Sequence, residues 1–234
     1  MLPKWGRRIV VPSRFVKREV LNYLDIKSNL IDIIPPGYDN ALFKPLDEEF
    51  KKDFLKKYGL EEPFILFVGS LFPYKNIKTL LKTFLEVQGR IPHSLVVAGK
   101  IELSQEKLPE HKRIHYLDYV QPKDIPGFYS YADICVHPSL VEGFGMTIVE
   151  AMACGTPVIS SNGGSLPEVV GEAGILFNPS DSQQLGERLL TVIYNKSLQK
   201  EMRLKGFQQV KQYSWERTAK DIVHSCEEAL KQSK

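Results

Sequence analysis

Glu142-Gly143-Phe144-Gly145-Met146-Thr147-Ile148-Val149-Glu150, continued by Ala151-Met152-Ala153-Cys154-Gly155-Thr156-Pro157, is the stretch on which the reading of this chain turns. Two carboxylates with seven residues between them bracket a Gly-x-Gly turn. An apolar helix is expected next, stopped by Gly155 and Pro157 before the strand Val158-Ile159-Ser160. A helix that opens just after a glycine-rich turn presents unpaired backbone N–H groups and the positive end of its dipole. Such a terminus suits an anion, most often phosphate. Glu142 and Glu150 repel phosphate but can accept hydrogen bonds from hydroxyls, as an acidic residue does from a ribose diol. Phosphate in the middle with hydroxyls on either side describes a nucleotide sugar. A plainer reading stands beside it. Thr147-x-x-Glu150 fits a capping box, in which Glu150 only closes the helix start, and Glu142 taken alone is an ordinary loop acid. The joint pattern is more specific than either part.

Working outward, Ile134-Cys135-Val136-His137 reads as a strand entering this loop, and His137, taken alone, as a packed or hydrogen-bonded histidine at its end. Phe64-Ile65-Leu66-Phe67-Val68-Gly69 is apolar without alternation, as a strand buried on both faces of a parallel sheet must be. Leu95 to Gly99, Ile114 to Leu117 and Gly174 to Phe177 are further strands. Between them lie helical patterns: one opened by Lys75-Asn76 with apolar Ile77, Leu80, Leu81, Phe84 and Leu85, one over Pro122 to Tyr131, and a short one over Leu166 to Val170. Three more finish the chain near Gln183–Tyr194, Leu198–Gln209 and Trp215–Leu230. Upstream, Ile9-Val10-Val11 is a strand, Ser13 caps a helix through Leu24, and Leu30 to Ile34 is a second strand closed by Pro35-Pro36-Gly37. The charged run from Asp47 to Lys57 reads as a solvated helix. The alternation predicts an α/β fold, a doubly wound parallel sheet of Rossmann-like type, with its site at the carboxyl ends of the strands.

Composition narrows the function classes. With 234 residues, 43% of them hydrophobic, the chain can bury a sizeable core, and a net charge of +3 is too small to argue for nucleic acid. Cys135, Cys154 and Cys226 are far apart and odd in number, which fits a reducing compartment rather than a disulfide framework or a metal cluster. Met1 to Arg8 is basic with no apolar segment after it, and no stretch approaches a transmembrane span, so a cytoplasmic location is expected. There is no Asp-x-Asp triad and no His/Cys cluster at ligand spacing, so neither metal nor cofactor is expected. No Gly-x-Gly-x-x-Gly follows the first strand, which argues against a nicotinamide dehydrogenase.

Glu142 and Glu150 with seven residues between, then Ala-Met-Ala-x-Gly-x-Pro-Val, resemble the signature of family 4 of the retaining glycosyltransferases with the GT-B fold, and His137-Pro138-Ser139 fits the same family. Val11-Pro12-Ser13-Arg14-Phe15, Ile34-Pro35-Pro36-Gly37-Tyr38-Asp39 and Phe43-Lys44-Pro45 resemble the end of that family's first domain and its hinge. The resemblance implies a tail of an acceptor-side domain over 1–45, a nucleotide-sugar-binding domain over 46–212 and a crossing helix over 213–234. A whole acceptor-binding domain would precede the tail and hold the partners of Ile9–Val11. The helix stripe Trp215, Ala219, Ile222, Val223, Cys226 and Leu230 would cross back to it. That domain would bind an acceptor glycan or lipid and leaves room for peripheral membrane contact.

The resemblance also assigns roles. Glu142 would contact the transferred sugar and support its cationic transition state, while Phe144, Gly145 and Met146 would offer backbone N–H groups toward the sugar and phosphates, with Gly143 and Thr147 also among the donor-binding residues. Glu150 would hold the ribose. Gly69, Ser70 and Lys75 match the diphosphate loop, with Lys75 stabilising the leaving group. Ser70 and Tyr74 stand where the family often carries arginine, so Lys75 is the one obvious cation, with Lys100 as a supplement. Tyr119 and Val120 match the backbone segment that holds the base, and Gly163-Gly164 would form a second, weaker anion site. The donor would be a UDP-, GDP- or ADP-linked hexose. Two other readings remain: a binding module inert without a separate acceptor domain, and an epimerase of the same fold.

Overall fold

The computed structural model describes residues 8–100 and 108–231. All but Arg8 of the basic N-terminal run lies outside the described residues. Six strands form one parallel sheet: β3 (Phe64–Val68), β4 (Ser94–Ala98), β5 (Ile114–Leu117), β6 (Ile134–His137), β7 (Val158–Ser161) and β8 (Ile175–Phe177), in the order β5-β4-β3-β6-β7-β8. Every pairing is parallel, with Leu66 opposite Val96 on one side and Cys135 on the other. Alternate side chains fill two separate cores. Phe64, Leu66, Val96, Ala98 and Cys135 point to one face, and Ile65, Phe67, Leu95, Val97, Ile134 and Val136 to the other. That is why the strands read as unbroken apolar runs.

Helices cover both faces. α3 (Ile77–Val87) and α7 (Ser182–Ile193) pack on the Ile65–Phe67 face through Leu80, Leu81, Phe84, Leu185 and Leu189. α4 (Ile125–Tyr131), α5 (Met146–Ala153) and α6 (Leu166–Val170) pack on the other through Phe128, Val149, Met152 and Val169. α2 (Lys51–Tyr58) adds Leu55 to that core with the rest of its surface mostly solvated, and α8 (Lys196–Gln209) sends Met202 to the opposite one. The strand order reverses direction between β3 and β6. Loops leaving neighbouring strands at such a reversal diverge to opposite faces and open a crevice at the carboxyl ends.

The N-terminal segment departs from expectation. β1 (Ile9–Val11) pairs in parallel with β2 (Ile31–Ile33) across α1 (Arg14–Tyr23), so the strand expected to find its partners in a preceding domain has one within this chain. α9 (Trp215–Lys231) lies against this unit through Thr218, which donates to the Pro35 carbonyl at 2.8 Å, and Ser225, which donates to Asp32 at 2.6 Å. Its apolar stripe, expected to cross to a preceding domain, faces solvent in this chain, with Trp215 and Val223 each 57% exposed. The side of the helix buried here is the one whose small hydroxyls reach the Pro35 carbonyl and Asp32.

The exit loops of β3 and β4 touch through glycine. Gly99 has φ +145, and a Cβ there would lie 2.2 Å from the Gly69 carbonyl oxygen. Gly59, at φ +62 after α2, has open space around its would-be Cβ. Gly99→Ala should therefore lower stability by about 3 kcal/mol, combining backbone strain with overpacking. Gly59→Ala carries the backbone cost alone, about 1 kcal/mol. Urea unfolding of both variants checks this, and equal losses would refute it.

Candidate functional site

The loop leaving β3 turns through a short helical segment, Pro73–Lys75, and Asn76 then takes a left-handed conformation (φ 54) before α3 begins at Ile77. Lys75-Asn76 thus leads into the helix, with Asn76 as its N-cap. Asn is among the few residues that tolerate this backbone. Its amide donates to the Pro138 carbonyl at 3.0 Å and the Pro179 carbonyl at 2.9 Å, tying the Lys75 loop to the exits of β6 and β8. The Leu140 N–H bonds the Tyr74 carbonyl at 2.7 Å, which fixes the same loop to the one leaving β6.

These ties bring two sequence-predicted residues into direct contact. Lys75 Nζ lies 2.6 Å from Glu142 Oε1, with 12% and 14% of the two side chains exposed. The same ammonium sits 5.4 Å from the centre of the Tyr74 ring, so the aromatic residue standing in place of an arginine supports the lysine by its π face. Ser139 donates to Glu142 Oε1 at 2.8 Å, and His137 Nε2 is 3.2 Å from that oxygen. Burial works to raise the Glu142 carboxyl. Hydrogen bonds from His137 and Lys75, with the charge of Lys75, outweigh it and bring the carboxyl down to about 2. Glu142 is ionised throughout the neutral range.

α5 starts at Met146 with Gly145 (φ 101) as its N-cap, and no side chain caps it. The capping box is absent. Thr147 Oγ1 is 3.0 Å from His137 Nδ1, and Glu150 accepts from the Tyr129 hydroxyl at 3.1 Å through Oε2. Burial raises Glu150 to about 7, offset only in part by that hydroxyl. The first N–H groups of α5 are thus left without a side-chain cap, beside Glu142 and Lys75.

Gly143 is exposed, and its carbonyl accepts from Ser13 at 2.8 Å. Phe144 is buried, its ring edge-on to Tyr213 at 5.3 Å. Gly69 follows β3, and Ser70 follows it half-buried. Lys100 lies in the neighbouring loop, where its carbonyl accepts from the Leu71 N–H at 3.3 Å. Tyr119, 69% exposed, and buried Val120 follow β5, the edge strand two places from β3. The structure thus clusters Lys75, Glu142 and the start of α5, and sets Tyr119–Val120 after an edge strand two places away.

Gly163 and Gly164 bring two loops into close backbone contact. α6 is a five-residue helix, and the two glycines serve close approach: a Cβ would lie 2.2 Å from the Leu140 carbonyl oxygen at Gly163 and 2.5 Å from that of Glu142 at Gly164. Ser165 completes the brace. Its N–H bonds the Glu142 carbonyl at 3.0 Å, and its hydroxyl lies 2.9 Å and 3.0 Å from the carbonyls of Glu142 and Phe144. Glu168 of α6 in turn accepts the N–H groups of Arg14 (2.9 Å) and Phe15 (2.7 Å), an acid capping the start of α1. Sequence reasoning missed Tyr129 and Glu168, whose signals are those of ordinary core and surface residues, and the bracing role of Ser165 beside Gly164. The role of Ser139 was foreshadowed only by the quoted His-Pro-Ser.

Comparison with known proteins bears on this site. A family model described as Glycosyl transferases group 1 matches residues 48–209. The chain is 35% identical over 181 residues to O-antigen chain mannosyltransferase B of Escherichia coli, covering 73% of this chain and 48% of that protein. It is similar in structure to sucrose-phosphate synthase from Thermosynechococcus elongatus, with TM-score 0.79 and 25% identity over 95% of this chain and 58% of that one. It shares its fold with Anabaena HepE, solved with UDP-glucose, at TM-score 0.81 and 20% identity over 94% of this chain and 63% of that one. The chain spans half or less of the length of the first curated relatives it matches.

Glu150 gives a stability signature. Its carboxyl ionises near 4.5 in the unfolded chain and near 7 in the folded one, so the folded state holds that proton more tightly. The stabilisation is fully present below 4.5 and is lost as pH rises through 7. Glu150→Gln stays neutral, so it should raise the melting temperature at about pH 8 and have much less effect near pH 5. A uniform loss at both values would show that the carboxylate is a structural asset instead.

Proposed function

The chain belongs to the glycosyl transferases group 1 family, and from that premise we propose that it is the donor-binding part of a retaining hexosyltransferase of family 4, taking a nucleoside-diphosphate hexose. The observation that carries the proposal is the Lys75–Glu142 pair, 2.6 Å apart where the loops leaving β3 and β6 meet, beside the uncapped start of α5. The family signature alone would not put a cation there.

In this reading the diphosphate lies between Lys75 and the first N–H groups of α5, which together supply the positive charge without a metal. As the bond to the anomeric carbon breaks, negative charge grows on the leaving phosphate and Lys75 stabilises it. Glu142, ionised and then free of its lysine, faces the sugar and offsets the positive charge developing on it. Glu150 accepts from the ribose diol through the oxygen that Tyr129 does not engage. The base lies along Tyr119–Val120, held by backbone groups, and a leaving phosphate oxygen takes the acceptor's proton on the same face. The acceptor, a glycan or lipid, is bound by protein outside residues 46–212. The mannosyltransferase relative and the UDP-glucose complex of HepE make GDP-mannose and UDP-glucose the first donors to test.

Isothermal titration separates the three charged residues. Lys75→Ala should weaken nucleoside diphosphates and their sugars alike by roughly ten- to a hundred-fold, less so at high salt. Glu150→Gln should weaken nucleotides with an intact diol and hardly affect 2′,3′-dideoxy analogues. Glu142→Gln removes the group that competes for Lys75, so it should bind sugar-free nucleotide at least as well as the parent and lose affinity only for the nucleotide sugar. Binding in the presence of EDTA should be unchanged. If the parent chain bound no nucleotide in a UDP, GDP and ADP panel, the reading would be wrong.

A further inference from the structure

Three donors converge on one oxygen of Glu142. Lys75 Nζ at 2.6 Å, Ser139 Oγ at 2.8 Å and His137 Nε2 at 3.2 Å all meet Oε1, while Oε2 has no partner among the described residues. A carboxylate has no proton to give, so His137 Nε2 must carry the hydrogen. The imidazole is fully buried at the end of β6, and burial holds it below its ordinary pKa against the pull of Glu142. The ring is therefore neutral and Nδ1 is bare, so Thr147 Oγ1, 3.0 Å away, donates to it. Donation runs from Thr147 in the first turn of α5, through His137, to Glu142. Ser139, with no exposed surface, lies alongside and 3.3 Å from His137 Nε2.

We propose that His137, Ser139 and Thr147 are positioning residues that hold Glu142 by Oε1 once Lys75 has moved to the diphosphate, and so present Oε2 alone to the transferred sugar. This rests on the nucleotide-sugar reading above. The choice of donors fits the task. A second cation at Oε1 would keep the carboxylate in place but cancel the charge that the sugar needs. A neutral imidazole and a hydroxyl orient the carboxylate and leave its charge intact. An imidazole with one hydrogen could present either nitrogen, and the Thr147 hydroxyl selects the tautomer that points the hydrogen at Glu142. Thr147, placed by the family signature among the donor-binding residues, has its side chain turned inward to this task.

Two measurements on the full chain test this. Nitrogen-15 NMR of the imidazole, assigned through His137→Gln, should show a neutral Nε2–H ring at pH near 7 whose Nδ1 resonance moves in Thr147→Val while Nε2 stays. An Nδ1–H tautomer or a charged ring would overturn the proposal. Affinities for GDP, UDP, GDP-mannose and UDP-glucose are then compared across variants. His137→Leu and Ser139→Ala should lose about tenfold for whichever nucleotide sugar binds, and less than about twofold for the matching nucleoside diphosphate. His137→Gln, whose amide can still donate to Oε1, should keep most of the sugar-dependent affinity. Parallel weakening of both ligands in Ser139→Ala, or His137→Gln failing as badly as His137→Leu, would mean a merely structural role. Should His137→Leu not fold, Ser139→Ala and His137→Gln decide the matter. Failure of the parent chain to bind any of the four ligands would overturn the nucleotide-sugar reading itself, and this proposal with it, whatever the tautomer.

Discussion

The ion pair between Lys75 and Glu142 is the constraint around which the carboxyl edge of the sheet is arranged. A half-buried pair is a poor source of stability, because removing both charges from water costs about as much as their attraction returns. Holding one at 2.6 Å requires two loops to be fixed relative to each other. The surrounding structure does this with neutral groups. Asn76 adopts a strained left-handed backbone to reach the Pro138 and Pro179 carbonyls, and Gly163, Gly164 and Ser165 press on the backbone of the Glu142 loop from the other side. So much scaffolding around a pair of little net stability fits a pair kept for exchange with a ligand.

The two glutamates of the signature show how environment divides labour between identical side chains. Each has one oxygen held by the protein and the other without a partner among the described residues: Glu142 by Oε1, Glu150 by Oε2. Their surroundings then push them apart, to about 2 for Glu142 and about 7 for Glu150. Glu142 has a cation and two further donors, while Glu150 has only the hydroxyl of a buried tyrosine to offset burial. A pair of carboxylates with separated ionisation is a familiar sign of separate tasks. A charged group against the sugar and a carboxyl that keeps its proton up to near-neutral pH beside the ribose fit the proposed donor.

Much of the architecture was legible because burial on both faces of a parallel sheet forces a distinctive pattern. Phe64 to Val68 and Ile134 to His137 are runs that only a two-sided core accepts, and the short helix Leu166–Val170 was expected over those same residues. Three kinds of feature were not legible. Contacts between residues far apart in sequence, such as Lys75 with Glu142, depend on strand order, which no local pattern encodes. Thr147-x-x-Glu150 has the spacing of a capping box, yet β6 supplies an imidazole that takes the threonine and α4 a phenol that takes the glutamate. Gly163-Gly164 read as an anion loop, and their role as a close backbone crossing needs the opposing chain in view.

The account's central claim is that Lys75 and Glu142 hold each other until a donor separates them. A crystal structure of the chain with bound GDP-mannose or UDP-glucose tests it most directly. The account predicts Lys75 Nζ on a phosphate oxygen, Glu142 Oε1 still held by His137 and Ser139, and Oε2 against a sugar hydroxyl. A nucleotide sugar bound with the Lys75–Glu142 pair intact and neither residue touching it would contradict the claim.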